Sequence, residues 1–254
     1  MTLAGRVLER LPARVARRAR TLHRAVLPDR VVSARLRIAK RYLAGDGIEI
    51  GALHNPLPLP KAARVRYVDR LPVPELRAHY PELEQEPLVG VDIIDDGERL
   101  ETIGASTQDF VVANHFLEHT QDPIGTLLNA YRVLRPGGVL YLAVPDKRHT
   151  FDVDRPLTPV DHLLRDHEQG PEVSRREHFE EWARLVDRVP AAEVSQRAEQ
   201  LMEQDYSIHF HVWTQRELLE LLLALRERFE LDFEIELLER IEYEVVFVLR
   251  KGSS

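Results

Sequence analysis

Five short apolar runs in the first 150 residues each end on side chains that could grip a polar ligand. GIEIG (residues 47–51) closes on Glu49 and Gly51, and RVRYVD closes on Asp69. LVGVDII leads into Asp95 and Asp96, DFVVAN into Asn114 and His115, and GVLYLAVP ends on Pro145 followed by Asp146. In an open α/β sheet, ligands bind outside the carboxyl ends of the strands, where the strand order reverses. An acid about 20 residues beyond the first strand end can accept from both hydroxyls of a ribose, which nominates Asp69. The loop after the first run reads GALHNP, with Gly51 but no further glycine. A pyrophosphate needs the close backbone approach that G-x-G-x-x-G permits, so an NAD-type ligand is disfavoured. One glycine with acids and amides at successive strand ends suits a nucleoside that lacks a pyrophosphate.

Such a row must be carried by strands separated by helices, and the chain is punctuated that way. Short apolar runs alternate with helical periods, the mark of an α/β fold with a mainly parallel sheet. A late pair, DFEIELLER and YEVVFVLRK, reads as two more strands. Asp122-Pro123 reads as a helix cap with proline at the first helical position, and RPGG as the stop of that helix. Thr158-Pro159 repeats the device, while Ser174 to Glu177 and Thr214 to Glu217 have capping-box spacing. The chain divides into a basic helical arm (1–43), a ligand-binding core (44–148), a lid inserted over the carboxyl edge of the sheet (149–213), and a closing helix with the final strand pair (214–254).

With 254 residues, 44% hydrophobic and 30% charged, the chain can bury a sizeable core. It has no cysteine, which excludes disulfides and thiolate metal sites and fits a cytoplasmic protein. No run approaches a membrane span of about 20 apolar residues. The net charge of −7 is uneven: residues 1–41 hold 12 Arg and Lys against 2 acids, leaving −17 on the remainder. An acidic body argues against nucleic acid in the core. The arm is either a solvated helix or a contact for an anionic membrane or protein surface.

The block DFVVANHFLEHTQDPIGTLLNAYRVLRPGGVLYLAVPD, with Leu117-Glu118-His119, Asp122-Pro123 and Arg132 to Gly138, resembles the class I S-adenosylmethionine-dependent methyltransferases. The similarity covers about residues 44–148 plus the late strand pair, and more loosely the body resembles methyltransferases that accompany glycan assembly. It implies a seven-stranded Rossmann-like sheet with an antiparallel last strand, and S-adenosylmethionine as cofactor with S-adenosylhomocysteine as product. This donor has a ribose, an adenine, a sulfonium and an amino-acid tail, and no phosphate. By position, Glu49 and Gly51 would line the methionine tail, and Asp69 would hold the ribose. Asp95 or Asp96 would meet the adenine amine, while Asn114 and His115 would flank the sulfonium. The family usually writes G-x-G where this chain has Gly51-Ala52-Leu53, so His54 or Asn55 would meet the methionine carboxylate instead. Glu118 and His119 are read as fixing the turn.

The implied reaction is O-methylation of a small polar acceptor such as a sugar or glycan precursor. The alternative is an inactive partner protein that keeps the fold and binds an anionic surface through its arm. A hydroxyl acceptor benefits from a general base, and histidine is the natural candidate. His115, His149 and His178 are nominated, with His162 read as solvated and His167 as packed on the core. His209 and His211 alternate in SIHFHVW and would share one face of an extended piece. In PDKRHTFDVDRP, Lys147, Arg148 and Arg155 could meet an anionic group, and Trp182 and Trp213 could stack on a sugar. Some sugar methyltransferases of this fold use magnesium, for which Asp146, Asp152, Asp154 and Asp161 lie near in sequence. Asp161 is already accounted for by helix capping and no tight ligand spacing is present, so no metal site is assigned.

Overall fold

The computed structural model describes residues 30–253. A seven-stranded sheet runs β3-β2-β1-β4-β5-β7-β6. Its members are β1 (Gly45–Ile50), β2 (Ala63–Asp69), β3 (Ile93–Ile94), β4 (Gln108–Asn114), β5 (Leu134–Pro145), β6 (Phe233–Ile241) and β7 (Glu244–Lys251). Pairing is parallel from β3 to β5, and β7 lies antiparallel between β5 and β6. The order reverses between β1 and β4, so Ile50 lies opposite Ala113, and Glu49, Asn114 and the loops that follow them meet at one edge.

The central strands are apolar on both faces, as parallel strands covered on both sides must be. Ile48, Ile50, Val111, Ala113, Leu140, Leu142 and Val144 face one core together with helices Pro123–Val133 and Gln215–Phe229. Phe110, Val112, Tyr141 and Ala143 face the other, against Val31, Ile38, Ala39 and Leu43. Residues 30–42 are helical. Burying a large aliphatic side chain contributes ~1.5–3 kcal/mol, so the end of the segment read as an arm belongs to the folded body. Two of its cations are also paired there, Arg35 with Glu244 at 2.8 Å and Arg37 with Glu239 at 2.6 Å. Residues 1–29, the rest of that arm, lie outside the described residues.

Local signals set the helix starts around the site. The Asp122 carboxylate accepts from Gly125 N–H at 2.8 Å, and Thr214 and Glu217 form a complete capping box. Two expectations fail. Ser174 does not cap a helix: helix Glu172–Leu185 begins earlier, and the Ser174 hydroxyl donates to Asp166 at 2.7 Å. Thr158 is one residue too early, because Val160–Gln169 starts after Pro159, and its hydroxyl instead accepts from Val212 N–H at 3.1 Å. The third strand keeps only Ile93 and Ile94, because upstream the Asp92 carboxylate replaces a ladder carbonyl for Tyr67 N–H at 2.8 Å. The lid has a small core of its own, in which Phe179, Trp182, Ala198, Leu201, Ile208 and Phe210 pack together. Among the described residues, no helix is long and apolar enough to cross a membrane.

Candidate active site

The edge is organised around Glu49, which is 1% exposed. Its carboxylate accepts from Leu57 N–H at 2.8 Å and from Asn114 Nδ2 at 3.2 Å, tying the loop after β1 to the end of β4. Burial pushes its pKa up to about 7. Gly51 turns the chain with φ +64, a left-handed conformation that glycine adopts without strain. Gly97 sits beneath, where a Cβ would lie 2.5 Å from Ile50 Cγ2 and 2.7 Å from Phe116 Cζ. Gly97 and Phe116 thus form the floor between the ends of β1 and β3. Neither is nominated from the sequence, although a glycine three residues beyond a strand end is a usable signal.

Asp69 ends β2 half-buried and accepts from Arg70 N–H at 2.8 Å. Burial raises its pKa, opposed by backbone hydrogen bonds from Arg70 and Leu71. The Arg70 guanidinium turns away to Asp205 at 2.7 Å, leaving the carboxylate to backbone partners. Of the paired acids after β3, Asp95 is committed to the fold. It is buried and accepts from the Thr102 hydroxyl at 2.6 Å and from Thr102 N–H at 2.8 Å. Asp96 is exposed, accepts from Glu98 N–H at 2.9 Å and faces Arg99 Nε in an exposed ion pair at 3.6 Å, so it is the more accessible acid of the two. His54 bonds Asn55 at 2.7 Å through Nε2, while its Nδ1 is buried without a partner.

Asn114 Oδ1 is likewise buried with no hydrogen-bond partner among the described residues. His115 has φ +50, with Nε2 2.8 Å from Glu244 and Nδ1 3.5 Å from Glu118. Glu244 is fully buried between His115 and Arg35. Burial works to raise its pKa, but hydrogen bonds from His115 and Arg35 outweigh it and hold the carboxyl below the glutamate range. Neither Arg35 nor Glu244 was singled out from sequence, though a glutamate entering the apolar run EVVFVL was a visible anomaly. Both oxygens of Glu118 are buried without a hydrogen-bond partner among the described residues, and burial raises its pKa to about 7.

The three histidines nominated as base do not gather. His115 is at the edge, and His149 is exposed with Nε2 3.4 Å from Arg240. His178 lies inside the lid with Nε2 3.1 Å from His162, and burial lowers its pKa to about 3. His162 is therefore half-buried rather than solvated, and His167 is half-buried with Nδ1 2.8 Å from Asp122. His209 and His211 join different clusters, the first against His119 and the second against His178. Arg155 is buried on Asp152 and Glu181, Arg148 pairs with Asp146, and Lys147 donates to Val153 O. Arg148 and Arg155 are thus paired with carboxylates of the protein, and Lys147 is bonded to a backbone carbonyl. Trp182 and Trp213 are core residues at 7% and 1% exposure. Phe151 is the exposed aromatic there, at 55%, with its ring 4.9 Å from His209 and 5.6 Å from Trp182.

The sequence model of a methyltransferase-domain family matches residues 22–225. The chain belongs to that family. With the 3-2-1-4-5-7-6 sheet, this bears out the resemblance to class I S-adenosylmethionine-dependent methyltransferases. Among solved structures, a SAM-dependent methyltransferase from Aquifex aeolicus is 10% identical over 88% of this chain and 89% of its own, with a TM-score of 0.46. One from Methanosarcina mazei is 17% identical over 84% of this chain and 96% of its own, with a TM-score of 0.44. No curated protein matches the chain. The edge of this family member fits the donor. It offers a left-handed glycine, an orphaned buried acceptor on Asn114, a half-buried carboxylate on Asp69 and an exposed acid on Asp96.

Proposed function

We propose that this methyltransferase transfers the methyl group of S-adenosylmethionine to a hydroxyl of a small polar acceptor, such as a sugar or glycan precursor. One observation carries the reading: buried polar atoms of His54 and Asn114 with no hydrogen-bond partner among the described residues lie at the carboxyl ends of β1 and β4. Buried polar groups are nearly always hydrogen-bonded, so orphans beside the loop that follows β1 support a ligand position there. When bound, the donor supplies an electrophilic methyl carbon on a sulfonium. Asp69 then accepts from the ribose hydroxyls, Asp96 from the adenine amine, and the loop from Gly51 to Asn55 receives the methionine tail. Asn114 and His115 flank the sulfonium.

His115 is the base. Its Nε2 faces the Glu244 carboxylate at 2.8 Å, which holds the ring proton there and leaves the lone pair on Nδ1. With the donor bound, Nδ1 would take up the proton that the acceptor hydroxyl loses on methylation, and S-adenosylhomocysteine would leave. Aligning the nucleophile and excluding water are the protein's main contributions. Exposed Phe151, beside His209, provides an apolar face on which a sugar ring can stack.

Calorimetry with S-adenosylmethionine tests donor binding, and methyl transfer from labelled donor to a panel of sugars tests the acceptor. Asp69→Ala should weaken donor binding about tenfold to a hundredfold, because hydrogen bonds to a charged group contribute ~1.5–3 kcal/mol each. Absence of heat with the wild-type chain would sink the reading.

A further inference from the structure

Beside the donor's cradle, unused ligand chemistry is concentrated on Glu118, His119 and His209. Glu118 and His119 belong to the 3-10 turn Leu117–His119 after β4, and His209 to the extended segment 207–213 that returns from the lid. Phe210 N–H donates to the Glu118 carbonyl at 2.7 Å, joining the two pieces. One ligand atom from each of the three side chains falls within 4.8 Å of the others, and the two imidazoles meet edge to face with centroids 4.7 Å apart.

Protonation is fixed by what surrounds the rings. His119 Nδ1 lies 2.9 Å from the Ile208 carbonyl, with the Ser207 hydroxyl at 3.0 Å, and His209 Nδ1 lies 2.8 Å from Asp152. An acceptor on Nδ1 holds the proton there and leaves the lone pair on Nε2 of each ring. Asp152 is itself held by Arg155 at 3.0 Å. A carboxylate and a carbonyl behind two imidazoles are the supports that metal-ligating histidines ordinarily have. Glu118 completes the set: it is 1% exposed, neither oxygen has a hydrogen-bond partner among the described residues, and His115 Nδ1 lies 3.5 Å away.

We propose that Glu118, His119 and His209 bind one divalent first-row transition-metal cation, through a Glu118 oxygen and the two Nε2 atoms, leaving positions open for water and an acceptor oxygen. Two imidazoles and one carboxylate suit zinc, manganese or iron better than magnesium or calcium, which take all-oxygen sets. Three protein ligands with an open position is the pattern of a catalytic site. Resting on the methyl-transfer reading above, the cation stands next to His115 and lowers the pKa of the acceptor hydroxyl.

The other histidine cluster, His162, His178 and His211, differs in its outer contacts. Arg165 donates to His162 Nδ1 at 2.9 Å, which puts the His162 proton on Nε2, the atom facing His178. That cluster is a hydrogen-bonded network and serves as the control.

The test is a Co2+ titration of the metal-stripped full chain, read by visible absorption without donor or acceptor. Saturation at one equivalent is expected. His209→Gln and Glu118→Gln should abolish the spectrum, and Asp152→Asn should weaken binding about tenfold to a hundredfold. His162→Gln should leave it unchanged, and circular dichroism melts identify the variants that fold. No saturable spectrum with the wild type, equal affinity in a folded His209→Gln or Asp152→Asn, or loss in His162→Gln would overturn the proposal. A chain that binds S-adenosylmethionine but not cobalt defeats the metal site alone. One that binds cobalt but not the donor defeats the methyl-transfer reading alone.

Discussion

At the scale of single residues, Glu49 carries a measurable signature of burial. Its pKa is raised to about 7 from an ordinary 4.5, so the folded state prefers the protonated form. The sign follows: below pH 4.5 both folded and unfolded chains are protonated and the group is neutral to stability. As pH rises from there to about 7, the unfolded chain ionises more readily and stability falls, levelling off above. The shift corresponds to at most about 3 kcal/mol. Glu49→Gln keeps an oxygen to accept from Leu57 N–H but cannot titrate. The stability difference between Glu49→Gln and wild type, measured by urea unfolding, should therefore grow in the variant's favour between pH 5 and 7 and be constant above pH 8. A flat difference would mean that Glu49 is ionised at little cost. Phe151 offers a second prediction of this kind. It is exposed and contributes little to the core, so Phe151→Ala should raise KM for a sugar acceptor severalfold while leaving kcat and the melting temperature nearly unchanged. A fall in kcat alone would remove it from acceptor binding.

Elements bring these residues together, and the strongest tie is between the first described helix and the last strand. Arg35, from residues 30–42, and Glu244, opening β7, are 209 positions apart and form a buried bidentate pair. Removing one partner of a buried pair typically costs ~3–5 kcal/mol, because the other charge is left without compensation. Here His115 remains on Glu244, so Arg35→Ala should cost about 2–4 kcal/mol by thermal or urea unfolding, and it should also disturb the His115 tautomer. Asp122→Ala, which removes a helix cap and the His167 contact, should cost about 1–2 kcal/mol. The contrast separates what sequence could disclose from what it could not. Asp122-Pro123 and the Thr214 to Glu217 box were legible because their partners lie within four residues. Strand ends bearing Glu49, Asp69, Asp96 and Asn114 were legible because an apolar run followed by an acid or amide is a local pattern. Arg35 with Glu244, and Glu118 with His209, were not, since only the closed sheet and the returning lid segment make them neighbours. Ser174 misled because its capping-box spacing is satisfied just as well by a bond to Asp166 in the preceding helix.

Over the whole molecule, the apolar residues separate into two cores on the faces of the sheet and a third inside the lid. The lid core is small, made of Phe179, Trp182, Ala198, Leu201, Ile208 and Phe210, while Leu163 and Leu164 of the first lid helix pack into a sheet core. Regions with few buried apolar contacts open at lower free energy than the rest of the fold. Helices Glu172–Leu185 and Val194–Glu203 should thus open together while β4 and β5 remain closed. Leu201 is completely buried at the centre of the lid core. Leu201→Ala should lower the local opening free energy by about 2–5 kcal/mol. Hydrogen exchange read by mass spectrometry should show faster exchange across 172–206 with β4 and β5 amides unchanged. Because segment 207–213 is bonded to Glu118 through Phe210 N–H, a ligand that fixes the edge should slow exchange in the lid as well. Equal loss of protection in β4 and β5 on Leu201→Ala would mean that lid and sheet unfold as one unit, and the lid could then not open separately to admit the acceptor.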